Sequence, residues 1–396
     1  MPWKEMKKRT MREEFVKRVL SHEKSKSELC REYGISRPTG DKWIKRYLSG
    51  EKLDDRNRAP VNIPGKTDIE IEKKIVSYRN DFKALGAVKI RQMMQNEGIA
   101  DLPSAKTFNN ILKRNGLITK EASLAATPYI RFEKSEPNEM WQSDFKGHFA
   151  MKNGVRCHPL NIIDDCSRFN VCCDPLLSET YLETRKSVEG AFNEYGLPFS
   201  FLCDNGNPWG TPQSTGYSRF EVWLMELGVL TIHGRARHPQ TQGKEERFNG
   251  SFTRECLRLN EFSDQEDARR KFAEYRNFYN NVRPHHALGL DVPNSKYRKS
   301  PRKYPSRIES WEYSDGEEIH TIKETGYFSY RGQGYFLSEA FGGKRVAMRE
   351  ADEGHGLINL YFRQFIIGQI NIEKRVFTFK RSYLIHGDPR LQNNEK

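Results

Sequence analysis

No stretch of this sequence holds the roughly 18–20 consecutive apolar residues that a membrane helix requires. The basic start "MPWKEMKKRTMREEF" is not followed by an apolar signal core, so the expected compartment is the cytoplasm. Cysteine is scarce and odd in number, seven in 396 residues, and no two form a C-x-x-C pair. That excludes a disulfide framework and a zinc cage and leaves reduced, mostly buried thiols, with Cys172-Cys173 read as strand core. Acid is in deficit. Lys and Arg number 66 against 53 Asp and Glu, a formal net charge of +13, and the pI is about 9.3. Such an excess favours a polyanionic partner. Hydrophobic residues at 36% and aromatics at 12% exclude wholesale disorder. A chain this long suggests about two to four domains.

The first pattern is helical. "SKSELCREYGISRPTGDKWIKRYL" has the layout of a helix-turn-helix within residues 1–50. Ser27 can cap a short helix carrying Leu29, Cys30 and Tyr33, and Gly34 allows the turn. Ser36 caps the second helix, with Pro38 in its first turn. Trp43, Ile44 and Tyr47 form its buried side, which leaves Arg37, Lys42, Lys45 and Arg46 for DNA. Residues 51–66 mix Gly, Pro and charge without apolar periodicity and read as a linker.

Residues 67–120 repeat the theme as a second, winged-helix-like helix-turn-helix. Ile69, Ile71, Ile75 and Tyr78 mark one helix, and Ile90, Met93 and Met94 another. A third is capped near Ser104, with Phe108, Ile111 and Leu112 inward. Lys106, Asn109, Asn110, Lys113 and Arg114 could then face a DNA groove.

Residues 130–300 change character. "NEMWQSDFKGHFAM", "CHPLNIIDDCSRF", "NVCCDPLL" and "SFLCD" read as strands. "ETYLETRKSVEGAFNEYG", "SRFEVWLMELG", "GKEERFNGSFTRECLRLN" and "DQEDARRKFAEYRNFYNNV" read as helices. Strands followed by alternating helix and strand indicate a mixed α/β sheet. Short strands split by turns over residues 318–385 suit a small β-barrel, and residues 386–396 read as a tail.

Strand alternation in "MWQSDFKGHF" puts Trp141, Ser143, Phe145 and Phe149 on one face. Gln142, Asp144, Lys146 and His148 share the other. A solvated edge strand would explain that polar face, and so would a catalytic one. The apolar run Phe199 to Cys203 ends at Asp204, at the carboxyl end of a strand, where open α/β sheets bind ligands. A turn-forming Asp before Asn205-Gly206 is the plainer reading. A third acid comes from "GKEERF", where Glu245 and Glu246 open a helix. Neighbours on a helix point about 100° apart, so the two cannot serve one site equally. Three converging carboxylates call for a cation. Mg²⁺ takes oxygen ligands, and a pair of such ions can drive phosphoryl transfer without a protein nucleophile.

At "WQSDFKGHF", "DNGNPWG", "HPQTQGKEERFNG" and "YNNVRPHHAL" the chain resembles the DDE-type insertion-sequence transposases, relatives of retroviral integrases. The resemblance implies an RNase H-like core with Asp144, Asp204 and Glu246 as catalytic, metal-binding triad for Mg²⁺, with Mn²⁺ as a substitute, in a two-ion site. It also implies cleavage at transposon ends and joining of the freed 3′-hydroxyl to target DNA. One departure is the absence of the His-His-Cys-Cys zinc module that opens retroviral integrases, so the helix-turn-helix domains would recognise the ends. The helix wheel adds modest support for Glu246. Phe248, Phe252, Cys256 and Leu259 form an apolar stripe; Glu245 projects over it and Glu246 lies near its edge.

Asp164 and Asp165 resemble a structural turn of the family. His238, Lys244 and Arg247 flank the glutamates as candidate DNA contacts, and residues 205–217 read as a mobile loop over the site. The expected partner is double-stranded DNA, both transposon ends and target, bound by at least a dimer in the cytoplasm at the nucleoid. Two other readings stand beside the enzyme. One is a catalytically inactive, transposase-derived regulator, which predicts a lost acid. The other is an RNase H-like nuclease, which has no need of paired recognition modules.

Overall fold

The computed structural model describes residues 8–55, 67–118, 134–210, 216–234, 243–351 and 356–380. Contacts divide it into two units, residues 1–66 and 67–396. Among the described residues no helix is long and apolar enough to cross a membrane, and all seven cysteines are free, with Cys172 and Cys173 buried.

The first unit holds α1 (Lys8–Leu20), α2 (Lys26–Glu32) and α3 (Arg37–Leu48). Phe15, Val16, Leu29, Cys30, Trp43 and Leu53 make its core. The expected cap at Ser27 lies two residues too far along: Ser25 is the N-cap, closed into a capping box by Glu28. Ser36 caps α3 as expected, accepting from the Thr39 amide. Gly40 lets α3 lie close on α2, since a Cβ there would sit 2.9 Å from the Cys30 sulfur. Tyr47 does not join the buried side; it is 37% exposed, while Trp43 fills the centre.

The second unit begins with α4 (Ile69–Asp81), α5 (Ala87–Asn96) and α6 (Ala105–Arg114). Ile75, Leu85, Ile90, Met93, Met94, Phe108, Ile111 and Leu112 pack between them. No strand is found among the described residues of this module, so nothing of a wing is seen there. Next come β1 (Met140–Phe145), β2 (Phe149–Ala150), β3 (Arg156–Asp164), β4 (Asn170–Leu176), α7 (Tyr181–Tyr195), β5 (Ser200–Cys203), α8 (Arg219–Glu226), β6 (Leu230–His233), α9 (Gly243–Phe252) and α10 (Gln265–Asn281). The sheet runs β2-β3-β1-β5-β6, with β4 on β3. β1, β5 and β6 are parallel and the β1–β3 and β3–β4 pairs antiparallel, which makes the sheet mixed, as expected.

The two faces follow the alternation of β1. Trp141 and Phe145 join the cluster of Val188, Phe192, Phe220 and Trp223 from α7 and α8. The opposite face carries Cys157, Ile163 and Cys173 under Phe248, Phe252, Phe272 and Tyr279 from α9 and α10. Leu259 departs from its expected stripe and is 50% exposed. The cause is a π turn over Thr253–Leu257, in which the Arg258 amide reaches back to the Thr253 carbonyl. That wider turn rotates later residues off the stripe.

The terminal region has β7 (Glu318–Thr321), β8 (Tyr327–Tyr330), β9 (Gln333–Phe336), β10 (Arg345–Glu350), β11 (Leu357–Phe362), β12 (Phe365–Asn371) and β13 (Val376–Phe379). The expected barrel is not closed. Among the described residues, one antiparallel sheet runs β13-β12-β11-β10-β7 with two free edges, and β8-β9 is a separate hairpin. The reason is packing. The apolar face of the sheet closes on the core, where Tyr217, Val222 and Met225 join Val346, Leu360, Phe365 and Ile367. The Tyr217 hydroxyl lies 2.8 Å from the Ile367 carbonyl.

Candidate active site

Asp144 stands near the end of β1, on the face that looks at α9. Its carboxylate accepts a 3.0 Å bond from the Asn249 amide, and Asn249 in turn accepts 2.7 Å from Asn161. A chain of two amides from β3 and α9 thus orients the acid. Burial, then the Asp204 carboxylate, pushes Asp144 up to about 6.

Asp204 follows β5 and is exposed. The Gly206 amide donates to its carboxylate at 2.9 Å. Its carbonyl accepts from His233 Nδ1 at 2.8 Å, and His233 Nε2 lies 2.9 Å from Glu221, which is fully buried. His233 also props the turn beyond, since a Cβ at Gly210 would come within 2.7 Å of its ring. Of the expected loop, residues 205–210 form a turn anchored by Trp209, 1% exposed and packed on Phe145, Phe201 and Phe220, and Tyr217 at its far end is buried against the terminal strands. Residues 211–215 and His238 lie outside the described residues.

The first turn of α9 separates the two glutamates. Glu246 is exposed and opens, with Asp144, Lys146, Asn249, Arg254 and Arg258, on a cleft of about 630 Å³. Glu245 is 1% exposed, and neither carboxylate oxygen has a hydrogen-bond partner among the described residues. Burial, then the charges of Asp144 and Glu246, raises its pKa well above the carboxylate range. Its charged form is thus disfavoured where it sits. Among the described residues no three His, Cys, Asp or Glu side chains gather tightly enough to hold a metal ion. Asp144 and Glu246 share one cleft and Asp144 feels the charge of Asp204, but the three do not meet at one point.

Asp164 and Asp165 are structural. Asp164 accepts from the amides of Asn138 and Ser167, and Asp165 from Gln142 and Lys244, each at 2.5 Å. Lys244, expected at DNA, therefore points inward. Arg114 is drawn to Glu72, and Arg46 bonds the Asp54 carbonyl and lies over Trp43. Arg37, Lys42, Lys45, Lys106, Asn109, Lys113 and Arg247 are exposed.

Asn249, Asn161, His233, Glu221 and Arg254 were not expected at the site. Two had a signal. Asn249 lies one helical turn after Glu246, and His233 ends an apolar run, "VLTIH", much as Asp204 ends its own.

Family models match along the chain: a helix-turn-helix domain over residues 11–60, an integrase core domain over 134–239 and again over 227–293, and the C-terminal domain of IS481 family transposases over 317–378. A 39.2 kDa protein of insertion element IS476 from Xanthomonas euvesicatoria is 26% identical over 289 residues, 71% of this chain and 75% of the relative. The transposase InsD of the IS2 elements of Escherichia coli is 27% identical over 227 residues, 54% of this chain and 70% of the relative. The solved HTLV-2 integrase catalytic core domain aligns with a TM-score of 0.31 at 18% identity, over 41% of this chain and 99% of that one, too loose a superposition to argue from. The models follow one another from the first helical module, through the sheet that carries Asp144 and Asp204, to the terminal strands, and the chain belongs to the DDE-type insertion-sequence transposase and integrase family.

Proposed function

We propose that the chain cleaves the 3′ ends of its insertion element and transfers them to target DNA, with Asp144, Asp204 and Glu246 as the acting carboxylates. The observation that carries this is the shared cleft, in which Asp144 from β1 and Glu246 from α9 face one space while the Asp204 charge reaches Asp144. The donors are hard oxygens, a set suited to Mg²⁺ or Mn²⁺. Two such ions held by these acids would activate the attacking oxygen and stabilise the leaving one. The chain's own residues do the rest. Asn249 fixes the Asp144 carboxylate, His233 fixes the backbone at Asp204, and Lys146, Arg254 and Arg258 supply positive charge for the phosphodiester. The exposed lysines and arginine of α3 read the element ends, and two copies or more hold both ends together in the cytoplasm. The terminal sheet, packed on α8 and contributing nothing to the cleft described, serves assembly.

The test is a pair of substitutions on adjacent residues. Glu246→Gln keeps shape and removes a charge, and the loss of several kcal/mol of transition-state stabilisation lowers the rate at least about a thousandfold. End binding stays intact. Glu245→Gln changes a buried side chain that does not line the cleft and keeps strand transfer within about tenfold. Labelled end DNA in Mg²⁺ or Mn²⁺ reports both. An active Glu246→Gln protein, or a folded, DNA-bound and inactive Glu245→Gln protein, reverses the assignment.

A further inference from the structure

A second cavity, of about 450 Å³, lies where α5 and α6 meet the catalytic core. Its walls are the starts of both helices, Ala87 to Lys89 with Ala105, Lys106 and Asn109, together with Arg254, Glu255, Arg283 and His286. The charges do not balance. Glu255, the one acid in the lining, is bound on both oxygens by Arg283, at 2.6 and 2.8 Å. Lys89, Lys106 and Arg254 have no ion pair among the described residues, and Arg254 is 3.4 Å from the Ser251 hydroxyl. Burial, then Arg283, brings Lys89 down to about 8, with Arg254 acting in the same direction and Glu255 against it. The amino end of α5 adds partial positive charge, because its N-cap, Gly86, offers no side chain to the first-turn amides. Arg254 also lines the cleft of Asp144 and Glu246, beside Lys146 and Arg258. A cationic strip thus runs from the second helical module to the catalytic acids.

We propose that this cavity is a phosphate-binding site for the backbone of double-stranded DNA, seating the strand that α6 engages so that its scissile phosphodiester reaches Glu246. Lys89 and Lys106 grip the phosphate and Arg254 hands the strand to the cleft. The site rests on the transposase reading and adds to it a route between recognition and chemistry that neither α6 nor the cleft supplies alone.

The experiment uses the full chain and a duplex of the element's terminal sequence with single neutral methylphosphonates at successive positions. The variants are Lys106→Ala, an exposed side chain whose loss leaves the fold intact, and Lys89→Met with Lys106→Ala. In the double variant, end affinity falls about tenfold at near-physiological salt, and the slope of log affinity on log salt falls by about two, one for each lost phosphate contact. One or two adjacent methylphosphonates weaken the wild type and do nothing further to the variant. Lys106→Ala alone lowers the slope by about one. Unchanged affinity and slope in both variants, or equal methylphosphonate sensitivity in wild type and variant, overturns the site. Either result would leave the catalytic reading standing, since that fails on the Glu246→Gln assay.

Discussion

Helices α3 and α6 begin alike. Ser36 accepts the Thr39 amide and Ser104 the Thr107 amide, and in each helix the two hydroxyls also meet, at 2.8 and 3.0 Å. Each helix carries basic residues at its start and in its last turn. Their surroundings differ. On α3, Arg37, Lys42 and Lys45 are exposed, and Arg46 is turned to Trp43 and Asp54. On α6, Arg114 is tied to Glu72 of α4, and Lys106 and Asn109 open on the cavity against the core. The α4–α6 module is also fastened to that core, with Phe82 stacked on Phe278 of α10 at 5.3 Å. Two helices with one local grammar thus present different cations. Tertiary partners, and not position in the helix, decide which basic side chain is left exposed.

The sharpest way to break that comparison is to remove charge at matching places. Arg37→Ala with Lys45→Ala lowers affinity for end DNA and reduces the salt slope by about two. Arg114→Ala, which removes an internal ion pair, leaves the slope as it was. Fluorescence anisotropy over a salt series reads both. Equal loss from the two changes would mean that Arg114 leaves Glu72 for DNA and that the two helices are used alike.

A second difference concerns pH. Beneath the α4–α6 module lies His285, buried on Tyr279, with Arg283 at 3.4 Å. Burial, then the charges of Arg283 and Lys89, depresses its pKa from 6.5 to about 2. The unfolded chain therefore binds a proton below about 6.5 that the folded chain refuses. The stabilisation is complete above 6.5 and is lost as the pH falls towards 2. At pH 5 the loss amounts to at most about 2 kcal/mol. Asp144 and Asp164 are both raised to about 6 and act in the opposite sense, gaining stability as they protonate. The quantity to measure is therefore the difference between wild type and His285→Gln in urea melts at pH 7.5 and pH 5. The variant loses less stability on acidification. Parallel curves would place a protonated His285 in the fold.

Much of this was legible in the sequence because period and punctuation are local. The helix caps at Ser36 and Ser104, the alternation that turns Asp144 away from Trp141, and the strand that stops at Asp204 all follow from neighbours in the chain. What escaped depended on distant partners. Nothing near Lys244 announces Asp165, 79 residues away, as the group that takes its ammonium. Nothing near Glu245 says that it will be buried with no hydrogen-bond partner among the described residues while Glu246 faces the cleft, although the wheel leaned that way. The terminal strands had the spacing of a barrel, but α8 and Tyr217 offered them an apolar surface, and the sheet stayed open upon it.

The smallest expected effect bears on the shared caps themselves. Ser36→Ala and Ser104→Ala each remove one acceptor for a first-turn amide, at a cost of about 1 kcal/mol. The consequence should differ with the surroundings. The α1–α3 unit rests on a small core, Phe15, Val16, Leu29, Cys30, Trp43 and Leu53. The start of α6 is held instead by Phe108, Ile111 and Leu112, all fully buried in a larger cluster. The same loss is then a larger fraction of what keeps the first unit folded. Amides throughout α1–α3 should exchange about fivefold faster with solvent in the full-length Ser36→Ala protein, since 1 kcal/mol is a factor of about five in an opening equilibrium. In Ser104→Ala the acceleration should stay within the first turn of α6, near Thr107 and Phe108. Hydrogen exchange read by mass spectrometry separates the two patterns. Acceleration across all of α4–α6 in the second variant would show that this module opens as a unit despite its seat on the core, and that the two modules differ in partners but not in cooperativity.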